Sequence, residues 1–240
     1  MEIFEKAFNC KRKQDFRRRE FSSLNSLLSN GIPDFLSFYT LAQTSYTNGN
    51  YSDALSFIDK TIKSSDIDDW KYYAFKANVL EDMSNFSQAI TFYKKAIEIE
   101  GTDVNVYALY HQIGFCYTSM FDYKNAIDFY TYAIELKKQH KNAPNNPDQE
   151  GMEMGVLLGV PFKRIYINRG QAFFATNKYN ESILDCETSL SYDKSYSNPY
   201  FLMAQIHSKI GNQEKAVKLL IQSAQLGNQN AAHLIKQFGL

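Results

Sequence analysis

The 240-residue sequence holds one tryptophan, three cysteines and four histidines, has no excess of either charge, and contains no long apolar run. Each shortage excludes something. Cys10, Cys116 and Cys186 are odd in number and far apart, so neither a disulfide framework nor a CxxC zinc or redox pair is available, and they read as reduced, structural thiols. His111, His140, His207 and His233 share no HxxxH or HxxE spacing with one another, so no metal site and no cofactor is expected. The 26 basic and 26 acidic side chains cancel, leaving no global field to recruit nucleic acid or an anionic membrane. The greasiest stretch, Met154 to Val160, is broken by glycine and falls far short of the roughly 18–20 apolar residues that a membrane helix needs. The first residues carry acids where a signal peptide is basic, so a cytoplasmic location is the expectation. What is present in excess is rings: 18 Phe and 17 Tyr.

One phrase returns along the chain: usually an aromatic, two further residues, then a small residue followed by an aliphatic one. It occurs as NYSDAL, NFSQAI, DYKNAI, KYNESI and NQEKAV, with Ala54, Ala89, Ala126, Ser182 and Ala216 as the small residues. Three of the four steps between them lie near the period of helix-pair repeats, and the fourth holds one repeat plus an insertion. Each unit reads as two amphipathic helices joined at NGN, MSN, MFD, TNK or IGN, where Gly and Asn accept backbone angles that a helix interior refuses. With the small residue at position 20, position 4 is Phe38, Tyr73, Tyr110, Tyr166 and Tyr200, and position 8 is Ala42, Ala77, Gly114, Gly170 and Ala204. Position 27 is again small: Thr61, Ala96, Ala133, Ser189 and Ser223. Large residues facing small ones at fixed offsets let two helices approach closely.

This pattern resembles the tetratricopeptide repeat. The resemblance implies an all-α, right-handed superhelical solenoid of antiparallel helix pairs. It places repeats at 35–68, 70–103, 107–138, 163–196 and 197–230, with 139–162 as an insertion. Two departures stand out: the family's proline at position 32 is absent, and its aromatic at position 11 survives only as Tyr117 and Phe173. Residues 1–34 read as a degenerate capping repeat, and 231–240 as a closing helix presenting Ala232, Ile235 and Phe238 on one face.

By the same resemblance, positions 2, 5, 9 and 12 of each first helix line a concave groove that grips an extended peptide or helix of a partner. The residues so placed include Tyr39, Gln43, Tyr46, Asn78, His111, Phe115, Arg164, Gln171, Phe174, Phe201 and Gln205. Position 9 carries a carboxamide at Gln43, Asn78, Gln171 and Gln205, and a carboxamide can pair with a peptide group in either sense. The rings would supply apolar pockets. The clamp by which some family members hold two carboxylates is absent, because its positions hold Tyr39, Gln43, Phe75, Ala108 and Gln112. A neutral or weakly charged ligand with little salt dependence is the expectation.

The insertion turns from polar to apolar, with Gly151, Gly155 and Gly159 at intervals of four. It reads as packing on repeats three and four; the alternatives are a lid over the groove or an oligomer interface. The run Lys11 to Arg19 concentrates basic residues, chiefly as a solvated face, with contact to nucleic acid or an anionic partner as the alternative. No phosphate loop, GxGxxG or GxSxG motif is present, so the expectation is a non-catalytic interaction scaffold. His111 is the one residue singled out as an acid/base candidate.

Overall fold

The computed structural model describes residues 34–101, 106–139, 151–153 and 156–239, with no side-chain detail for 151–159. The N-terminal capping repeat, Cys10, the basic run and most of the insertion therefore lie outside the described residues. The chain divides into two compact units at Ile99/Glu100. In the first, helices α1 (Asp34–Thr47), α2 (Tyr51–Ser64), α3 (Trp70–Asp82) and α4 (Phe86–Glu100) follow in order. The second holds α5 (Val106–Ser119), α6 (Tyr123–Gln139), strands β1 (Gly151–Glu153) and β2 (Val156–Gly159), α7 (Phe162–Ala175), α8 (Tyr179–Tyr192), α9 (Ser197–Lys209), α10 (Gln213–Gln225) and α11 (Gln229–Phe238). The fold is thus an all-α array of antiparallel pairs, with one small antiparallel β pair as an addition that the repeat pattern does not contain.

The five pair turns share one hydrogen-bonding scheme. At position 15 the backbone is left-handed in every repeat, at Gly49, Ser84, Phe121, Asn177 and Gly211. The amide of position 16 then donates back to the carbonyl of position 11: Asn50 to Ser45, Asn85 to Leu80, Asp122 to Tyr117, Lys178 to Phe173 and Asn212 to His207, all at 2.8–2.9 Å. This satisfies carbonyls left over at the end of the first helix. The carbonyl of position 16 next accepts from position 20, starting the second helix at the small residue. Gly227 ends α10 in the same way and leads into α11, where Asn228 caps the helix by accepting from the Ala231 amide.

The small residues at positions 8, 20 and 27 are buried in all five repeats. At Gly114 the approach is so close that a Cβ would stand 2.8 Å from the Tyr130 ring of α6. Where serine replaces alanine, its hydroxyl is used between helices of a pair: Ser182 Oγ donates to Gly170 O (2.7 Å), Ser189 Oγ to Lys163 O (2.7 Å) and Ser223 Oγ to Ser197 O (2.9 Å). Cys116 and Cys186 are buried and share no disulfide, and burial pushes the Cys186 thiol well above its ordinary range.

The far end of the insertion is fixed to both flanking pairs. Lys137 of α6, fully buried, donates to the Val160 carbonyl and stands 4.9 Å from the centres of both the Tyr107 and Phe162 rings. The Val160 amide donates to the Tyr107 hydroxyl at 3.4 Å. A second buried tie crosses three helices: Arg169 of α7 forks onto Asp185 of α8 (Nε to Oδ2, 2.9 Å; Nη2 to Oδ1, 2.7 Å) and donates to Thr131 of α6 at 3.0 Å. Burial raises the Asp185 carboxyl and the Arg169 charge opposes that shift, so the pair is held as an ion pair by direct contact.

Candidate functional site

Position 5 does not face an open groove. Tyr39 is 3% exposed, Ala74, His111 and Ile167 are equally enclosed, and only Phe201 is half-exposed. For Tyr39, His111 and Ile167 the reason is the neighbouring repeat, whose first helix covers this face. Tyr39 meets the rings of Tyr72 (4.9 Å) and Phe75 (5.7 Å) on α3. His111 meets α7 through Asn168, whose Nδ2 donates to Nε2 at 2.9 Å, while Nδ1 faces Gln112 Oε1 at 3.0 Å. These contacts require neutral imidazole with its proton on Nδ1. Burial lowers its pKa to about 3, and the positive charges of Arg164 and Lys137 add to the shift. His111 therefore ties two repeats together and is neither a groove residue nor a proton carrier near neutral pH. Tyr39 is likewise a packing residue.

In the first unit the remaining candidates are partly engaged. The Tyr46 hydroxyl donates to Asp82 at 2.6 Å, and burial together with that carboxylate raises its pKa above the usual phenol range. Its ring packs on Phe75 at 5.5 Å. Asn78 Oδ1 lies 2.5 Å from the Tyr93 hydroxyl, which also reaches Glu81 at 2.7 Å, so this carboxamide works inside its own helix pair. Gln43 is half-buried.

In the second unit Phe115 is 41% exposed, and Arg164 and Gln171 are exposed on their helices. Phe174 and Gln205 are brought together. They line a cavity of about 700 Å³ whose walls come from the end of α7, from α9 (Ala204, Ser208, Lys209), from α10 (Gln213, Ala216, Val217, Leu220) and from α11 (Leu234, Phe238). The volume falls within the roughly 300–1,000 Å³ of ordinary ligand pockets. Its walls are mostly hydrocarbon, three uncharged polar side chains sit among them, and Lys209 is the single charge in the lining.

The cavity depends on α11, which sequence reasoning read only as a lid on the stack. Its buried anchor is Ala231, with Ala232 exposed instead. That register turns Leu234 and Phe238 toward α9 and α10, and Gly239, left-handed, ends the helix just beyond Phe238. The signal for this wall was the apolar spacing of 231, 234, 235 and 238, which keeps Ile235 and Phe238 of the expected face and puts Ala231 and Leu234 in the place of Ala232. Among the described residues there is no cluster of side chains able to hold a metal ion, and no helix long and apolar enough to cross a membrane.

A family model described as tetratricopeptide repeat matches residues 71–103, 107–140, 163–196 and 197–230. Among solved structures, the crystal structure of MamA superposes with a TM-score of 0.61 at 16% identity, covering 80% of this chain and 97% of that one. MamA from Desulfovibrio magneticus RS-1, from residue 41 to its end, gives 0.63 at 13% identity, covering 80% and 94%. YrrB, described as a TPR protein with an unusual peptide-binding site, gives 0.60 at 17% identity, covering 89% and 96%. At these identities the likeness is one of fold. Tetratricopeptide repeat protein 12 of Mus musculus is 35% identical over 54 residues, 22% of this chain and 8% of that much longer protein.

Proposed function

The chain belongs to the tetratricopeptide repeat family, and on that premise we propose that it is a non-catalytic scaffold that holds a segment of a partner protein against the first helices of its repeats. The observation that carries this reading is the apolar cavity beside Phe174 and Gln205, which joins a ring, a carboxamide and an open hydrocarbon floor in one place. A peptide suits such a site: side chains fill the floor, and Gln205, Gln213 and Ser208 can pair with main-chain groups at the rim. Phe115, Gln171 and Phe201 extend the proposed surface along the first helices of the second unit, and Gln43 offers a separate carboxamide in the first. No observation among the described residues favours the alternatives of a basic-arm contact or of oligomerisation through the insertion.

The test is affinity capture with the full chain and with a Phe174→Ala, Gln205→Ala double variant that keeps the wild-type circular dichroism. Partners that occupy the cavity should fall at least about tenfold in recovery, as expected for loss of a buried aromatic anchor. Recovery of every partner at the wild-type level overturns the reading.

A further inference from the structure

The chain is neutral as a whole, yet its charge is unevenly spread. From Ser197 onward, through α9, α10 and α11, there are four lysines (Lys209, Lys215, Lys218 and Lys236) against one acid, Glu214, a net charge of +3. That one acid is already used, because Glu214 accepts from Lys218 at 2.6 Å within α10. Among the described residues, Lys209, Lys215 and Lys236 have no ion-pair partner. The three helices that carry this surplus supply every wall of the apolar cavity except Phe174, and Lys209 stands in the lining itself.

Resting on the reading above, we infer that the cavity takes an acidic amphipathic peptide segment: one bulky apolar side chain seated on Ala216, Val217, Leu220, Leu234 and Phe238, flanked by carboxylates that meet Lys209 and the neighbouring lysines. Hydrocarbon walls make burial of the apolar side chain favourable. The unpaired lysines contribute long-range attraction and select against basic segments. The carboxamides at the rim favour a main chain over an acyl chain, which offers them nothing to pair with. Binding at this end of the protein is therefore salt-dependent, in contrast to the expectation drawn from the neutral groove positions.

The experiment is selection of random twelve-residue peptides against the full chain, counter-selected on Val217→Trp, which narrows the cavity at its α10 wall. The expected result is enrichment of peptides with a Phe, Leu or Trp between Asp or Glu residues, absent from the Val217→Trp pool. A labelled peptide from that set should bind about tenfold more weakly in 300 mM than in 50 mM NaCl. It should lose a similar factor with Lys209→Glu, an exposed change that leaves the core untouched. Neutral or basic peptides enriched in a cavity-dependent way would overturn the acidic ligand while sustaining a peptide-binding scaffold. Acidic peptides recovered equally by Val217→Trp would overturn the cavity as their seat, and no enrichment at all would sink both readings.

Discussion

Phe121 holds a left-handed backbone (φ 62°) that its equivalents Gly49 and Gly211 adopt without a Cβ, and its ring is 78% exposed. A bulky residue there costs about 1–2 kcal/mol in backbone energy with little burial to offset it. Phe121→Gly should therefore raise stability by up to about 1 kcal/mol, less than the full strain because glycine loses more entropy on folding; a urea midpoint unchanged or lowered would contradict this. His111 gives a prediction in pH. Its folded-state pKa is about 3, below the unfolded value near 6.5, so the native state refuses a proton that the unfolded chain accepts. The stability from this group is complete above pH 6.5 and declines as pH falls toward 3, by about 2 kcal/mol between pH 7 and pH 5. His111→Gln should flatten the stability profile over that interval by this amount. A wild-type slope retained in the variant would show that the imidazole is not held neutral. His207, also buried and shifted downward, acts in the same sense in both proteins and drops out of the difference.

At the scale of the helix pair, the two position-8 glycines differ in what surrounds them. A methyl at Gly114 would meet the enclosed Tyr130 ring at 2.8 Å, whereas one at Gly170 finds its nearest neighbours at 3.4 Å. Gly114→Ala should cost about 1–3 kcal/mol through forced displacement of α6. Gly170→Ala should be near neutral, its better helix propensity balancing the tighter fit. Paired thermal melts check this, and equal effects would contradict the packing described. The pairs themselves were legible in sequence because a small residue at a close crossing has no substitute, so 8, 20 and 27 recur from repeat to repeat. Position 5 was not legible: Tyr39, His111 and Ile167 share no chemistry, and their burial comes from the next repeat, which the spacing within one helix cannot report. The Arg169–Asp185 tie was hidden for a similar reason, since the ion pair joins positions 7 and 23 of a single repeat only once in the chain.

At the scale of the whole molecule, a repeat array is stabilised by contacts within each pair and between neighbours. Damage should consequently remain local. Asp185→Ala leaves the Arg169 charge without its main partner and should cost about 3–5 kcal/mol in repeat four. Hydrogen exchange by mass spectrometry should then show faster exchange in 163–192 and the adjoining helices, with 36–98 unaltered; uniform acceleration along the chain would mean that the two units unfold as one. Much of this layout was readable as a period. The cavity at the last repeat was less so, because it requires the register of α11 against α9 and α10, three helices that the repeat pattern treats separately.

The bond from Lys137 to the carbonyl of Val160 joins α6, before the long excursion, to the residue at which the chain returns. The bond is made by residues on either side of 140–159, so it holds the two ends of the insertion together directly. Closure entropy rises by only about 0.6 kcal/mol for each doubling of such a loop. The junction between α6 and α7 is thereby a clasp, set by Lys137, Tyr107 and Val160 rather than by the residues between them.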